Sequence, residues 1–225
     1  MQGLYRKTLI GFLRTLVMLL AAVFGPVWTF RYWQGWAGLA AFFGPALVIT
    51  IWVAKHDPAL LERRLKAGAK AEQRIGQKVV QGIAAVVFLA DYAIPALDHR
   101  FGWSRMPWYV TLAGDAMMLI GFAIVFEVFK ENSYTSGIIE VANDQKVVST
   151  GPYAHVRHPM YTGALIMLFG IPIALGSWWG ILVNLPMTAG IVWRLLDEEQ
   201  FLGQNLPGYT EYRAKVKFRL VPGVW

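Results

Sequence analysis

Residues 151–163 concentrate side chains that bind anions and stack on flat groups: two His, one Arg and two Tyr among two Pro and two Gly. Pro159 interrupts a preceding element and suits the first position of a new helix, so we expect a helix to begin near Met160. Its free N–H groups and positive dipole end would lie beside Arg157 and His158. A carboxylate or phosphate would be stabilised there, although a basic turn at a membrane surface has a similar composition.

A second polar group lies further along the chain, where Arg194 is followed one helical turn later by the acidic residues 197–199. Between the two groups, residues 160–175 and 178–196 are apolar and are joined by a Gly-Ser turn. This pattern predicts a helical hairpin that dips into or crosses a bilayer with both ends on one side. The hairpin would bring Arg194 close to Arg157, although Arg194 alone is also typical of a membrane anchor.

The composition indicates an all-α integral membrane protein with about five to six transmembrane helices, including that carboxy-terminal hairpin. Of the 225 residues, 56% are hydrophobic, 16% are charged and ten are Trp. The net charge of +7 suits anionic lipid headgroups, and no nucleic-acid motif accompanies it. There is no Cys and the four His are scattered, so we expect neither a thiolate nucleophile nor a metal site.

The apolar runs predict four helices in the amino-terminal part, residues 1–130, and a basic loop between the second and third. That loop, residues 55–78, is expected to be an amphipathic helix on the cytoplasmic face. Counting Lys and Arg beside each span places the amino terminus, this loop and everything after Lys130 in the cytoplasm. The four expected spans are residues 8–28, 36–54, 79–97 and 108–129.

The carboxy-terminal part, residues 131–225, begins and ends with polar segments. Residues 130–150 contain short β-branched runs around a polar turn, which suit either a small extended hairpin on the membrane surface or a connecting loop. Residues 201–225 carry alternating aromatic and basic side chains, which predict a helix lying on anionic lipid.

Asp91 falls near the middle of the third span, where an ionisable side chain is costly unless it faces a cavity or a partner. We expect it to pair with Arg14 of the first span. The alternative is that Asp91 lines a tunnel for a lipid.

Three groups of residues together resemble the isoprenylcysteine carboxyl methyltransferases and their phospholipid N-methyltransferase relatives. They are the run from Gln145 to Tyr153, the sequence Val156-Arg-His-Pro-Met-Tyr161 with Gly163, and Arg194 with Glu198-Glu199. Gly208-Tyr209, Tyr212 and Arg219-Leu-Val-Pro222 extend the pattern. The resemblance covers roughly residues 130 to 225, and the amino-terminal half matches only as a set of spans.

The resemblance implies a cytoplasmic pocket for S-adenosylmethionine and a lipophilic substrate that enters from the bilayer. It implies that Arg194 faces the carboxylate of that substrate. In physical terms, Glu198 can accept from ammonium or hydroxyl groups, the helix start suits an anion, and the Tyr rings suit an adenine or sulfonium. The expected cofactor contacts are Glu140, Gln145, Lys146, Val147, Val148, Tyr153, Arg157, His158, Pro159, Met160, Tyr161 and Glu198.

The expected reaction depends on the acceptor. A carboxylate is already ionised at neutral pH and needs alignment rather than a base, whereas an amine needs a base, for which Glu199 or His158 would be candidates. The leading hypothesis is an S-adenosylmethionine-dependent methyltransferase of the membrane that acts on a prenylcysteine or isoprenoid carboxylate. The alternatives are a phospholipid amine N-methyltransferase, an NADPH-dependent reductase of the sterol type, and a scaffold without activity.

Overall fold

A computed structural model describes residues 2–68, 70–72, 74–142 and 144–225. In these residues the chain forms eight α-helices and one short 3-10 turn, Gly151–Ala154, and contains no β-strand. The helices are α1 Gln2–Val27, α2 Trp33–His56, α3 Pro58–Leu65, α4 Ile75–Phe101, α5 Trp108–Glu131, α6 Pro159–Ala174, α7 Trp178–Asn205 and α8 Tyr209–Lys215.

Five of these helices, α1, α2, α4, α5 and α7, are long and apolar enough to cross a membrane, and α6 is a shorter apolar helix. Large apolar side chains such as Val48, Val86 and Leu185 are exposed on their outer surfaces, as expected for helices that face lipid. The prediction of an all-α integral membrane protein with five to six spans is therefore confirmed. Each expected span lies almost entirely within one helix of the structure, and the helices extend beyond most of the expected ends.

Close contact between α5 and α6 depends on glycines. A Cβ atom on Gly121 would lie 2.5 Å from the carbonyl oxygen of Gly163, and one on Gly163 would lie 2.8 Å from that of Gly121. Nearer the other end of the pair, a Cβ on Gly114 would lie 2.2 Å from the backbone nitrogen of Ala174. Because a small residue lets two helix backbones approach each other, these glycines fix the position of α6 and of the functional side chains at its start.

The α6–α7 hairpin is held at its tip by a hydrogen-bonded carboxylate. Asp98 of α4 accepts from the backbone N–H of Ser104 at 2.7 Å, from the Ser104 hydroxyl at 2.5 Å and from the Ser177 hydroxyl at 2.5 Å. Ser177 in turn caps α7 by accepting from the N–H of Gly180 at 3.0 Å. The tip of the hairpin is therefore tied to the connection between α4 and α5.

Asp91 does not pair with Arg14, so that prediction is wrong. Asp91 is completely buried, and its Oδ1 accepts from Nδ2 of Asn184 on α7 at 3.0 Å. The same Nδ2 also donates to the carbonyl of Leu168 at 3.1 Å. Arg14 lies exposed on the outer surface of α1, and none of the ion pairs among the described residues includes it. An amide side chain thus replaces the expected arginine as the partner.

The surface hairpin, one of the two possibilities for residues 130–150, is not formed: the described part of this segment contains no strand, and several of its backbone groups bond to other elements. Arg64 donates to the carbonyl of Ser136 at 2.9 Å, and Arg194 donates to that of Gly137 at 3.1 Å. The N–H of Ile139 donates to Glu72 at 3.4 Å. The second possibility, a connecting loop, is the one observed for the described part of the segment; residue 143 lies outside it.

The two basic segments are helical over shorter lengths than expected. Within residues 55–78 the helix α3 covers only Pro58–Leu65, capped by Asp57, whose side chain accepts from the N–H of Leu60 at 2.9 Å. Residues 69 and 73 lie outside the described part. In the tail, α7 continues to Asn205 and α8 is a separate short helix, after which residues 216–220 bond to the start of α6 instead of forming a helix. The division of the chain near residue 130 stays a prediction.

Candidate functional site

A cavity of about 340 Å³ lies where the starts of α6 and α8 meet the end of α7 and the irregular segment 132–148. This volume falls at the lower end of the range typical of small-molecule sites. The expected acceptor-binding residue Arg194 and all twelve expected cofactor contacts line it, whereas Glu199 does not. The twelve are Glu140, Gln145, Lys146, Val147, Val148, Tyr153, Arg157, His158, Pro159, Met160, Tyr161 and Glu198.

The start of α6 has the predicted form. Pro159 occupies the first turn, and the side chain of His158, the capping residue, makes no capping hydrogen bond. The N–H groups of Met160 and Tyr161 belong to the first turn and therefore lack acceptors within the helix. Both residues line the cavity, so the positive end of the helix dipole points toward it.

Tyr161 connects the two polar groups that the sequence places far apart. Its hydroxyl donates to Oε2 of Glu198 at 2.6 Å and accepts from Nε of Arg194 at 3.1 Å. Arg194 and Glu198 are four residues apart on α7 and share one face of the helix. In the described chain Glu198 Oε1 has no hydrogen-bond partner, so this carboxylate retains an acceptor atom for a ligand.

The guanidinium of Arg194 is held at several points. Nη1 donates to Oε1 of Gln77 at 3.3 Å and lies 3.5 Å from a carboxylate oxygen of Glu72, and Nη2 donates to the carbonyl of Gly137. Gln77 is itself fixed, since its Nε2 donates to Asp197 at 2.7 Å. The arginine therefore enters the cavity wall in one defined orientation.

Glu199 points away from the cavity into a buried cluster of basic groups. Its Oε1 accepts from Nε of Arg157 at 2.6 Å and lies 3.3 Å from Nε2 of His158, and its Oε2 accepts from Nε of Arg219 at 3.1 Å. Arg157 also donates to the carbonyls of residues 216 and 217, at 2.8 Å each. Glu199 and Arg157 thereby join α6 and α7 to the tail.

Tyr153 is the central aromatic residue of the opposite wall. Its hydroxyl accepts from Nδ2 of Asn132 at 2.9 Å, and its carbonyl accepts from the hydroxyl of Tyr212 at 2.8 Å. Burial raises the pKa of Tyr153 to about 12, and the pKa values of Tyr209 and Tyr212 are raised for the same main reason. All three rings therefore stay neutral at physiological pH and offer aromatic surface and hydroxyl groups to a ligand.

The loop wall offers backbone donors. Gln145 closes a turn, since its Oε1 accepts from the N–H of Ala142 at 3.1 Å. Glu140 accepts from the Ser136 hydroxyl at 2.8 Å. Among the described residues, no acceptor is hydrogen-bonded to the N–H groups of Val147 and Val148. Because half-buried backbone donors normally find a partner, these two amides are suited to bind a ligand.

Several residues of the site were not expected from the sequence. Arg64, on α3, lines the cavity, and its enclosure between helices lowers the pKa of its guanidinium, which nevertheless stays charged. Its only sequence signal was membership of a basic run, which is also typical of a membrane surface. Glu72 and Gln77 hold Arg194 from behind, and no motif marks them. Other cavity residues that were not expected as ligand contacts are Ala67, Asn132, Tyr134, Thr135, Ser136, Gly137, Ile138, Ile139, Ala164, Leu202, Leu206, Tyr209 and Tyr212.

The described residues contain no group of three or more His, Asp or Glu placed to hold a metal ion.

Residues 109–207 match the model of the phospholipid methyltransferase family, a stretch that runs from α5 to the end of α7 and covers somewhat less than half of the chain. A search of curated proteins found no match. The motifs' resemblance to membrane methyltransferases is thus confirmed for residues 109–207, which supply most of the residues that line the cavity.

Proposed function

We propose that this protein is an integral-membrane methyltransferase that uses S-adenosylmethionine and methylates a lipophilic acceptor. The proposal rests on one observation: Glu198, Tyr161 and Arg194 lie together in one cavity at the open end of the α6–α7 hairpin, opposite its tip. The family match over the same helices supports it. When bound, S-adenosylmethionine would supply a methyl group on a positively charged sulfur.

The cavity residues fit the chemistry of that cofactor. Glu198 has an acceptor oxygen for its ammonium or ribose hydroxyls, and the amides of Val147 and Val148 can donate to adenine or to a carboxylate. The rings of Tyr153 and Tyr161 provide electron-rich surface for adenine or for the sulfonium. The start of α6 favours the negative end of the molecule.

Arg194 is the residue that we assign to the acceptor. It approaches the cavity from α7, next to the hydroxyl of Tyr161, and its positive charge suits a carboxylate. Of the two expected bases, Glu199 accepts from Arg157, and His158 lies 3.3 Å from the same carboxylate. This arrangement favours an acceptor that needs no base, such as a prenylcysteine or isoprenoid carboxylate. A phospholipid amine is the second candidate, favoured by the description of the matching family.

We further propose that the cavity faces the cytoplasm. The end of the bundle that carries it also carries Arg6, Lys7, Lys55, Arg63, Arg74 and Lys78, and loops rich in Lys and Arg stay on the cytoplasmic side. Apolar lining residues such as Ala164 and Leu202 suit an acceptor that arrives from the bilayer.

The proposal is tested by calorimetric titration of the detergent-purified protein with S-adenosylhomocysteine, with NADPH titrated in parallel. We expect saturable binding of the first ligand alone, weakened by about tenfold or more in Glu198→Ala and kept in Glu211→Ala, which removes an exposed acid of α8. Binding of NADPH alone would instead assign the chain to the reductases. Binding of neither ligand to folded protein would favour a scaffold.

The acceptor is tested separately by transfer of a labelled methyl group from S-adenosylmethionine. A prenylated cysteine with a free carboxylate and a phospholipid with a primary amine headgroup are compared at equal membrane concentration. We expect labelling of the carboxylate, as an ester that base hydrolyses. Label found only in the amine would replace the leading acceptor by the second one.

A further inference from the structure

The segment between α3 and α4 contains one buried acid, Glu72, which is 3% exposed. Its charged neighbours Lys66, Lys70 and Arg74 are exposed. Removing a carboxylate from water is unfavourable unless donors surround it. The groups that contact Glu72 therefore indicate which part of the structure it stabilises.

Donors from three other elements converge on Glu72. Its Oε2 lies 3.5 Å from Nη1 of Arg194 on α7 and accepts from Nε2 of Gln81 on α4 at 3.4 Å. The same oxygen accepts from the N–H of Ile139, in the loop wall of the cavity, at 3.4 Å. Only 1% of the Glu72 side chain and 13% of the Arg194 side chain are exposed, so solvent screens their attraction little.

Glu72 closes a ring of contacts behind the cavity wall. Arg194 donates directly to the carbonyl of Gly137 at 3.1 Å and is joined through Glu72 to Ile139, two residues further on. A Cβ on Gly137 would lie 2.6 Å from the Cβ of Ala67 and from the carbonyl oxygen of Lys66. The segment that carries Glu72 is thus packed directly against the back of the wall.

We infer that Glu72 is a positioning residue for the acceptor end of the cavity, where it fixes the guanidinium of Arg194 and the wall at residues 137–139. Glu72 does not line the cavity, so its effect on a ligand must pass through these neighbours. The inference rests on the proposed function, since it assigns Glu72 to the site where the acceptor would bind. Without Glu72, the largely buried guanidinium of Arg194 loses one of its counter-charges and one of the contacts that orient it.

The first test compares the kinetics of Glu72→Ala and Glu72→Gln with those of Glu62→Ala, which removes an exposed acid of α3. We expect Glu72→Ala to reduce kcat/KM for the acceptor by at least about tenfold, with the Kd for S-adenosylhomocysteine within about twofold of wild type. Glu72→Gln should fall between, because it keeps an oxygen for the N–H of Ile139 but loses the charge. An equal loss of cofactor affinity would overturn the inference.

The second test asks whether Glu72 acts through Arg194. In a background that carries Arg194→Lys, the further change Glu72→Ala should have little additional effect, since residues in one network are not additive. Full additivity of the two losses would show that Glu72 acts independently, and would overturn the inference.

The third test needs no catalytic activity. Phenylglyoxal modifies accessible guanidinium groups, and peptide mass spectrometry measures the rate at Arg194 in the ligand-free protein. We expect slow modification in wild type and in Glu62→Ala, and a rate at least about threefold higher in Glu72→Ala because a contact of the guanidinium is lost. Unchanged modification would overturn the inference even if methyl transfer is established. Faster modification of Arg194 in Glu72→Ala, in a protein that transfers no methyl group, would support the positioning role of Glu72 and contradict the proposed function. If Glu72→Ala does not fold, Glu72→Gln carries the same comparison.

Discussion

The carboxylates of Glu198 and Glu199, neighbours in sequence, are held by different partners. Glu198 Oε2 accepts from the hydroxyl of Tyr161 at 2.6 Å, at the cavity. Glu199 Oε1 accepts from Arg157, also at 2.6 Å, in a buried cluster behind it. One turn of α7 thus supplies an acid that lines the cavity and an acid that holds the buried cluster, and the two should respond differently to substitution.

Glu198 and Arg194 should divide cofactor binding from acceptor binding. Because Glu198 keeps an acceptor oxygen, Glu198→Ala should raise the Kd for S-adenosylhomocysteine by about tenfold or more, the loss expected for a hydrogen bond to a charged group. His158→Ala should also weaken cofactor binding.

Arg194→Ala should lower turnover and leave the Kd for S-adenosylhomocysteine within about threefold of wild type. Calorimetry and a methyl-transfer assay measure the two quantities; equal cofactor affinity in all variants would contradict the division.

Tyr161→Phe tests the connection between these residues. The variant keeps the ring but removes the hydroxyl that joins Arg194 to Glu198. We expect a fall in kcat of about tenfold and a smaller change in cofactor affinity, since a hydrogen bond to a charged group contributes about 1.5–3 kcal/mol. Tyr109→Phe is the matched control, because Tyr109 is an exposed residue of α5. Wild-type kcat in Tyr161→Phe would show that the hydroxyl is not needed.

Glu199→Gln should destabilise the tail rather than remove a base. Arg157 and His158 are each 6% exposed, so removing their common partner leaves buried basic groups uncompensated, at a cost of about 3–5 kcal/mol. We expect a lower melting temperature. We also expect faster hydrogen exchange at the amides of Arg157 and His158, which donate to the carbonyls of Phe218 and Arg219.

The contrary result for Glu199→Gln is equally specific. If Glu199→Gln abolished methyl transfer to an amine while the melting temperature and the exchange rates stayed at their wild-type values, Glu199 would again be a candidate base. Glu211→Gln, on the exposed side of α8, controls for the loss of one negative charge near the tail.

Glycine substitutions should show how strictly α5 and α6 are positioned. Gly121→Ala would place a methyl group 2.5 Å from the carbonyl oxygen of Gly163. The methyl carbon is attached directly to the backbone of α5 and the oxygen belongs to the backbone of α6, so the two helices must move apart. We expect a loss of about 1–3 kcal/mol of stability and a fall in activity, since α6 carries Tyr161. Gly82→Ala, in α4, meets nothing within 4 Å and should keep or raise the melting temperature. Similar melting temperatures for the two variants would contradict this packing.

The sequence predicted the helices well because long apolar runs require backbone groups to bond within the helix. It also predicted the start of α6, since Pro159 permits few other conformations. It left the form of residues 130–150 open: the β-branched runs near Ile138 and Val147 favour strands locally, yet Arg64 bonds to the carbonyl of Ser136 and Glu72 to the N–H of Ile139, backbone groups that a strand partner would need. Such long-range partners leave no periodic signal in the sequence.

The buried pair of Asp91 and Asn184 gives the last prediction. Beyond the bond between them, Asp91 Oδ2 and Asn184 Oδ1 are both buried without a hydrogen-bond partner in the described chain. Both atoms are acceptors, and a proton on the Asp91 carboxyl would turn one of them into a donor. We therefore expect Asp91 to be a neutral acid inside the membrane, where an unpaired charge is costly.

Infrared difference spectroscopy measures this state directly. The wild-type spectrum minus that of Asp91→Asn should contain the C=O band of a protonated carboxylic acid, shifted in D₂O. Asp91→Asn should melt within a few degrees of wild type, since its amide group replaces the O–H donor, whereas Asp91→Leu should melt lower because Asn184 loses a partner, at about 1–3 kcal/mol. If Asp91 were ionised, the band would be absent and Asp91→Asn would be markedly more stable than wild type, because it removes a buried charge.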